Sequence, residues 1–276
     1  MDASMSGSIM TLVMFVLLIY MVVRTFMLAK KNNKNKKLLK VLDEINDEQK
    51  FFDDADKVIA EEKDKTFAAK IEVLRIWGDV YYRREKAFRE HLSTLDIELL
   101  LHPQGSRTDG FNDNEDSFFY LYTAIPNHLW SIGRNDLREA VNEKLKPYHD
   151  ALSDTFLSVM HDSFALFYDN KEDKGRSFYN AVMNGDYGQY RYNKQLIGLY
   201  KDMITVMLAR LALDDGSAEG IQPYEADLKR FAETRLGARW MKELSVELPS
   251  DEKTEEETKD AEPAEETAED DKKEQE

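Results

Sequence analysis

The sequence predicts an all-α protein: one N-terminal transmembrane helix, then a helical body, then a disordered acidic tail. Three observations carry this. The run from Ile9 to Val23 contains no charged residue, glycine or proline, the character of a membrane span. Between residues 66 and 248 apolar side chains recur at helical spacings and strand-like alternation is nearly absent. Beyond Leu248 there is no aromatic and no large aliphatic side chain, too little apolar surface to offset the ordering of the chain.

Residues 1–8 form a short N-terminus. The span is assigned to 9–29, and 21 residues at about 1.5 Å each cover roughly 30 Å, the hydrocarbon thickness of a bilayer. Arg24 lies one turn before the end, where its long stem can lie along an apolar helix and its guanidinium reach the headgroups. Lys30, Lys31, Lys34, Lys36, Lys37 and Lys40 follow at once, and only Asp2 is charged on the other side. The positive-inside bias then places the N-terminus outside and the body in the cytoplasm of a cell membrane, with an organellar outer membrane as the alternative. The lysines would hold the anionic leaflet of the lipid bilayer.

The neck, 30–65, contains no proline or glycine, and Leu38, Ile45, Phe52 and Ile59 recur every seven residues with Leu42 between the first two. Gln49, Asp56 and Lys63 hold the other heptad positions and are polar. The expectation is an amphipathic helix laying a narrow stripe on the body or on the membrane surface. A coiled coil making a homodimer through the neck is the alternative.

In the body, 66–248, Phe67, Ile71, Leu74 and Tyr81 step at helical intervals, and Ala87, His91, Leu92 and Leu95 continue on a following helix. A polar loop is predicted over 102–116, with Pro103, Gly105 and Gly110. Helix-compatible stretches follow at 118–131, 136–146, 147–168, 175–183, 190–213 and 223–244. Leu196, Leu199, Met203, Val206, Leu208 and Leu211 make the 190s helix the best core candidate. The tail is 249–276.

Charge narrows the partners. The chain carries a net −16, spread as +6 over 1–40, −12 over 41–250 and −10 over 251–276. An acidic body is a poor match for nucleic acid, so none is expected, and a protein or peptide partner guided by charge should be basic. With no cysteine, disulfides, thiolate catalysis and cysteine–metal sites are excluded.

Leu74, Trp77, Gly78 and Tyr81 resemble the first helix of a tetratricopeptide repeat, with Trp and Leu exchanged relative to the commonest form. Asn184-Gly185-Asp186-Tyr187-Gly188-Gln189 is similar to the inter-helix turn of such repeats, with Tyr190 where a small alanine would stand. Gly133-Arg134-Asn135-Asp136-Leu137-Arg138-Glu139-Ala140 looks similar but is two residues too long, and Leu236-Gly237 with Trp240 echoes the helix spacing. The fragments do not recur at 34 residues, because Gly78, Gly133, Gly185 and Gly237 are 55, 52 and 52 apart. The resemblance implies an α-solenoid scaffold that holds a peptide or another protein. An irregular helical bundle is the alternative fold.

Chemistry is sparse. His128, His161-Asp162 and then Asp214 or Asp215 follow the H…HD…D order of the HD-type metal phosphohydrolases, and His149-Asp150 is a second His-Asp pair. For such isolated steps a surface or satisfied histidine is the ordinary reading. The Asp-rich stretch 109–116 lacks calcium-loop spacing, and no phosphate loop, G-x-G-x-x-G, H-E-x-x-H or G-x-S-x-G is present. Tyr81-Tyr82-Arg83-Arg84 and the segment 187–192 read as packing with charged rims. The expected function is a membrane-anchored helical adaptor or scaffold, with no catalytic residue, cofactor or metal. A tethered HD-like hydrolase and an organellar receptor for basic peptides are the alternatives.

Overall fold

The computed structural model describes residues 3–103, 110–168, 172–194, 196–216 and 219–247, and the side chains of 3–19 fall outside that description. The tail assigned to 249–276 also lies outside the described residues. Among the described residues there are helices and no strand, in agreement with the periodicity.

Helix α1 (Ala3–Asp43) is continuous, and among the described residues no helix is long and apolar enough to cross a membrane. This corrects the transmembrane helix expected over 9–29, of which the side chains before Tyr20 lie outside the described residues. The reason is visible from Tyr20 onward. From there to Asp43 the helix carries Arg24 and six lysines between positions 30 and 40, too many charges for an apolar stretch of about 18 residues among the described side chains.

Further along, α1 is amphipathic and packs on the body. After a turn at 44–47, Asp47 caps α2 (Glu48–Glu61) by accepting from Lys50 N at 3.1 Å. The two helices pack together, and three of the lysines are held by carboxylates. Lys37 meets Glu62 at 2.8 Å, Lys40 meets Asp54 at 2.9 Å, and Lys34 pairs with Asp64. Ile45 and Phe52 are buried and Leu38 and Ile59 pack against the same core. The heptad stripe therefore runs across a bend and is covered within the molecule.

Asp64 also caps α3 (Lys65–Tyr81), accepting from Phe67 N at 3.1 Å. This helix buries Phe67, Ile71, Leu74 and Trp77. Gly78 marks its closest approach to α2, since a Cβ there would collide with the Phe51 ring. Next come α4 (Glu85–Thr94), the short α5 (Glu98–Leu101) and α6 (Phe111–Phe119). A single π-helical turn over Tyr120–Ala124 joins α6 to α7 (Ile125–Ser131), and α8 (Asn135–Leu145) follows. The remainder is α9 (His149–Leu152), α10 (Phe156–Tyr168), α11 (Glu172–Met183), α12 (Ile197–Asp214), α13 (Glu225–Ala232) and α14 (Arg235–Glu243).

Two helix hairpins lie side by side: α3 and α4 form one, α7 and α8 the other, with α3 against α7 and α4 against α8. Their turns share one geometry. Arg83 N bonds Val80 O at 3.1 Å and Arg84 N bonds Asp79 O at 2.7 Å. In the second hairpin Gly133 N bonds Trp130 O at 3.0 Å and Arg134 N bonds Leu129 O at 2.8 Å. These are Schellman helix ends, with φ of 57° at Arg83 and 72° at Gly133. Helices α11 and α14 finish in the same way at Gly185 and Ser245.

Candidate functional site

The matched turns enclose a pocket of about 150 Å³ between the two hairpins. Val80 from α3, Phe88 from α4, Leu129 and Ile132 from the end of α7, and Leu137 from α8 give it an apolar floor. Asp79, Arg83, Glu85 and Arg134 are its polar lining. Every one of these residues is placed by the Schellman turns, which bring the end of one helix and the start of the next to the same end of the stack.

Asp79 is the residue that makes the pocket more than a packing defect. It is fully buried (0 % exposed). One oxygen, Oδ2, bonds His91 Nδ1 at 2.6 Å, tying α3 to α4. The other, Oδ1, has no hydrogen-bond partner, and the nearest cation, Arg84 Nε, stands 3.7 Å away. Burial pushes the Asp79 carboxyl above its ordinary value, and the His91, Arg84 and Arg75 charges only partly oppose it. A buried carboxylate with one oxygen unmatched gains from any donor that enters beside it.

The rim is a charge network rather than a single pair. Arg134 contacts Glu85 at 2.7 Å and Asp136 at 2.9 Å, and Arg89 reaches the same Asp136 at 2.7 Å. The Arg134 guanidinium holds Asp136 down at about 2. These groups are exposed, so the network contributes little to stability, but it neutralises Arg134 at the mouth and joins the first turns of α4 and α8.

The residues singled out in the sequence fall in several places. Leu74, Trp77, Gly78 and Tyr81 all sit on α3 below the pocket, where Trp77 stacks on Tyr81 at 5.7 Å and Tyr120 at 5.5 Å. Gly185 and Tyr187 belong to the separate turn after α11, where Tyr187 packs on Phe156 at 5.8 Å and Tyr192 at 5.0 Å. Arg24, Lys30, Lys31 and Lys36 are exposed on α1. Lys30, Lys31 and Lys34 line a second groove with Phe67 and Lys70, beside the carboxylate that pairs with Lys34.

The His-Asp constellation is not assembled. His128 is buried on α7 against Tyr81, with ring centres 6.3 Å apart. His161 is on α10 and bonds Tyr122 O at 2.8 Å. Asp214 and Asp215 end α12 and pair with Arg210 and Arg176. Among the described residues no group of three or more His, Asp or Glu side chains is placed to hold a metal ion. In the acidic stretch 109–116, Asn114 is buried and donates to Leu100 O at 2.7 Å, and Asp116 pairs with Lys70.

The sequence reading missed Asp79, His91 and Arg134 as site residues. A usable signal was present for Asp79: a lone carboxylate inside the apolar stretch Ile76-Trp77-Gly78-Asp79-Val80. Comparison with protein-family models, with curated proteins and with solved structures returns no match for this chain.

Proposed function

We propose that this protein is a helical adaptor that binds a basic segment of another protein and has no catalytic step of its own. The observation that carries the reading is the buried Asp79 with Oδ1 unpartnered at an apolar pocket between two hairpins. A lysine or arginine side chain suits such a place, because its aliphatic stem would contact Val80, Phe88 and Leu137 while its head donates to Oδ1. The surrounding charge agrees: the body carries −12, which attracts basic partners at long range. Paired hairpins with a ligand surface at their turns are also consistent with the tetratricopeptide-like scaffold that the sequence resembles, and we keep that kinship as part of the proposal.

The test is binding of the full-length protein to a fluorescent peptide of alternating lysine and leucine, read by anisotropy. The account expects binding that weakens with salt and falls about tenfold in Asp79→Asn, roughly the loss of one charge-assisted hydrogen bond. Equal binding of a glutamate-for-lysine peptide would remove the charge argument.

A further inference from the structure

A second pocket, of about 400 Å³, lies on the other side of the π-helical turn and is lined by Tyr122, Asn142, Glu143, Asp150 and His161, with His149 and Lys146 beside them. Its volume is that of an ordinary ligand pocket, and the local backbone explains why it is polar. Pro126 has no N–H, so Tyr122 O cannot receive the ordinary donor four residues on. His161 Nδ1 fills the gap at 2.8 Å. A carbonyl can only accept, so Nδ1 carries the proton and Nε2 is left as the acceptor of the neutral ring. Burial keeps the ring neutral by lowering its pKa, against the opposing effects of the Tyr122 carbonyl and Asp162; His149 and Arg138 lower it further.

Two more polar atoms of the pocket residues are buried without a partner: the Tyr122 hydroxyl, in a side chain 1 % exposed, and Asn142 Oδ1. Glu143 and Asp150 supply carboxylates at the exposed edge, and Lys146, the one ammonium lining the pocket, stands 3.5 Å from Glu143. The pocket residues thus carry three atoms able to accept, His161 Nε2, Asn142 Oδ1 and Tyr122 Oη, the last two closed to solvent, and at the rim two carboxylates face one ammonium. Phosphate or a carboxylate would face the two rim carboxylates and the lone pair of His161 Nε2, with only the Lys146 ammonium, already beside Glu143, to offset them. A metal ion finds no grouped ligand set among the described residues.

We infer that this pocket is a binding site for a primary ammonium group, whose N–H bonds would go to His161 Nε2, Asn142 Oδ1 and Tyr122 Oη while Glu143 and Asp150 balance its charge. The inference stands independently of the Asp79 cleft. The group could belong to a lysine side chain or to a free polyamine, and both present the same three donors.

The experiment follows the histidine side-chain resonances of the full-length protein, labelled at histidine, with His161→Gln identifying the His161 signal among five. n-Butylammonium should move that signal saturably, and Tyr122→Phe should weaken the binding about two- to tenfold. Because the phenylalanine variant removes a buried hydroxyl that has no partner, its melting temperature should equal or exceed that of the wild type, which separates lost binding from lost folding. Response to spermidine but not to Nα-acetyl-lysine methylamide would identify a free polyamine, and the reverse a lysine side chain; either supports the site. A His161 signal unmoved by n-butylammonium would overturn the inference. So would an equal response to tetramethylammonium, which has no N–H, or unchanged affinity in Tyr122→Phe.

Discussion

The two neighbouring hairpins close with the same pair of backbone bonds, yet they fill equivalent positions differently. At the left-handed residue one has Arg83 and the other Gly133. Four residues earlier in the same motif, one has the acid Asp79 and the other Leu129, both fully buried. The α7–α8 turn is built as stability alone would build it, with glycine where φ is positive and an apolar side chain in the core. The α3–α4 turn accepts a strained arginine and a buried carboxylate at one spot. A positive φ on a non-glycine residue recurs at Ser245, but among the described residues only the α3–α4 turn combines it with a buried carboxylate, which is why the proposed site is placed there.

The largest effect should come from making the plain hairpin resemble the strained one. Leu129→Asp would bury a carboxylate with no counterpart of His91, and the loss of stability should be roughly 3–5 kcal/mol, measured by urea unfolding. A result under 1 kcal/mol would mean that the α7 position tolerates charge as α3 does, and the contrast would collapse.

Gly133→Ala comes next. A side chain at φ 72° should cost about 1–2 kcal/mol. The reciprocal change, Arg83→Gly, should raise stability by up to about 1 kcal/mol. If both substitutions destabilise equally, the arginine is held by contacts that outweigh its backbone strain.

The smallest effect is in pH dependence. The folded Asp79 carboxyl titrates above its unfolded value, so between those two values the native state holds more protons than the unfolded chain. Stability from this group is therefore present below the unfolded pKa near 3.8 and is lost as pH rises through the folded one. Asp79→Asn should melt higher than the wild type at pH 7, and the gap should narrow as pH approaches 4. Glu115, buried at 1 % exposure and raised for the same reason, should behave alike in Glu115→Gln. An unchanged gap between pH 4 and 7 would contradict the burial argument.

Much of the helical body was legible because its apolar spacings match helices that bury one face. Leu74 and Trp77 point inward as their spacing requires, and α12 buries Met203, Val206, Leu208 and Leu211. The breaks were harder to see. The stretch 223–244 splits because Thr234 caps a new helix, accepting from Gly237 N at 3.0 Å, a local bond competing with an uninterrupted pattern. Residues 190–194 are not helical, since Arg191 bridges to Asp154 and Phe156 through the backbone. The neck was read as one element because no glycine or proline marks the turn at 44–47, which is closed by short-range backbone bonds and the side-chain cap from Asp47.

The N-terminal helix shows the limit of reading an apolar run by itself. Its charged half is not a free basic arm but is partly neutralised by carboxylates of α2 and the turn after it, partners that lie 14 to 30 positions away in sequence. The site was hidden for the same reason. Asp79 is one residue of a helix, and only the packing of α3 against its neighbours shows that its second oxygen lacks a hydrogen-bond partner and has Arg84 at 3.7 Å. The π-helical turn that carries Tyr122 ends just before Pro126, in a stretch that otherwise reads as plain helix.

The most direct test of the central claim is a double-mutant comparison at the cleft. The affinity of the lysine–leucine peptide would be measured for wild type and Asp79→Asn, each against the peptide and against its norleucine-for-lysine counterpart. The account predicts that the carboxylate and the ammonium are coupled, so that the norleucine peptide binds both proteins equally weakly while the lysine peptide loses about tenfold on Asp79→Asn. If the lysine peptide binds both proteins with the same affinity, Asp79 does not receive the partner's charge and the adaptor reading of this cleft is wrong.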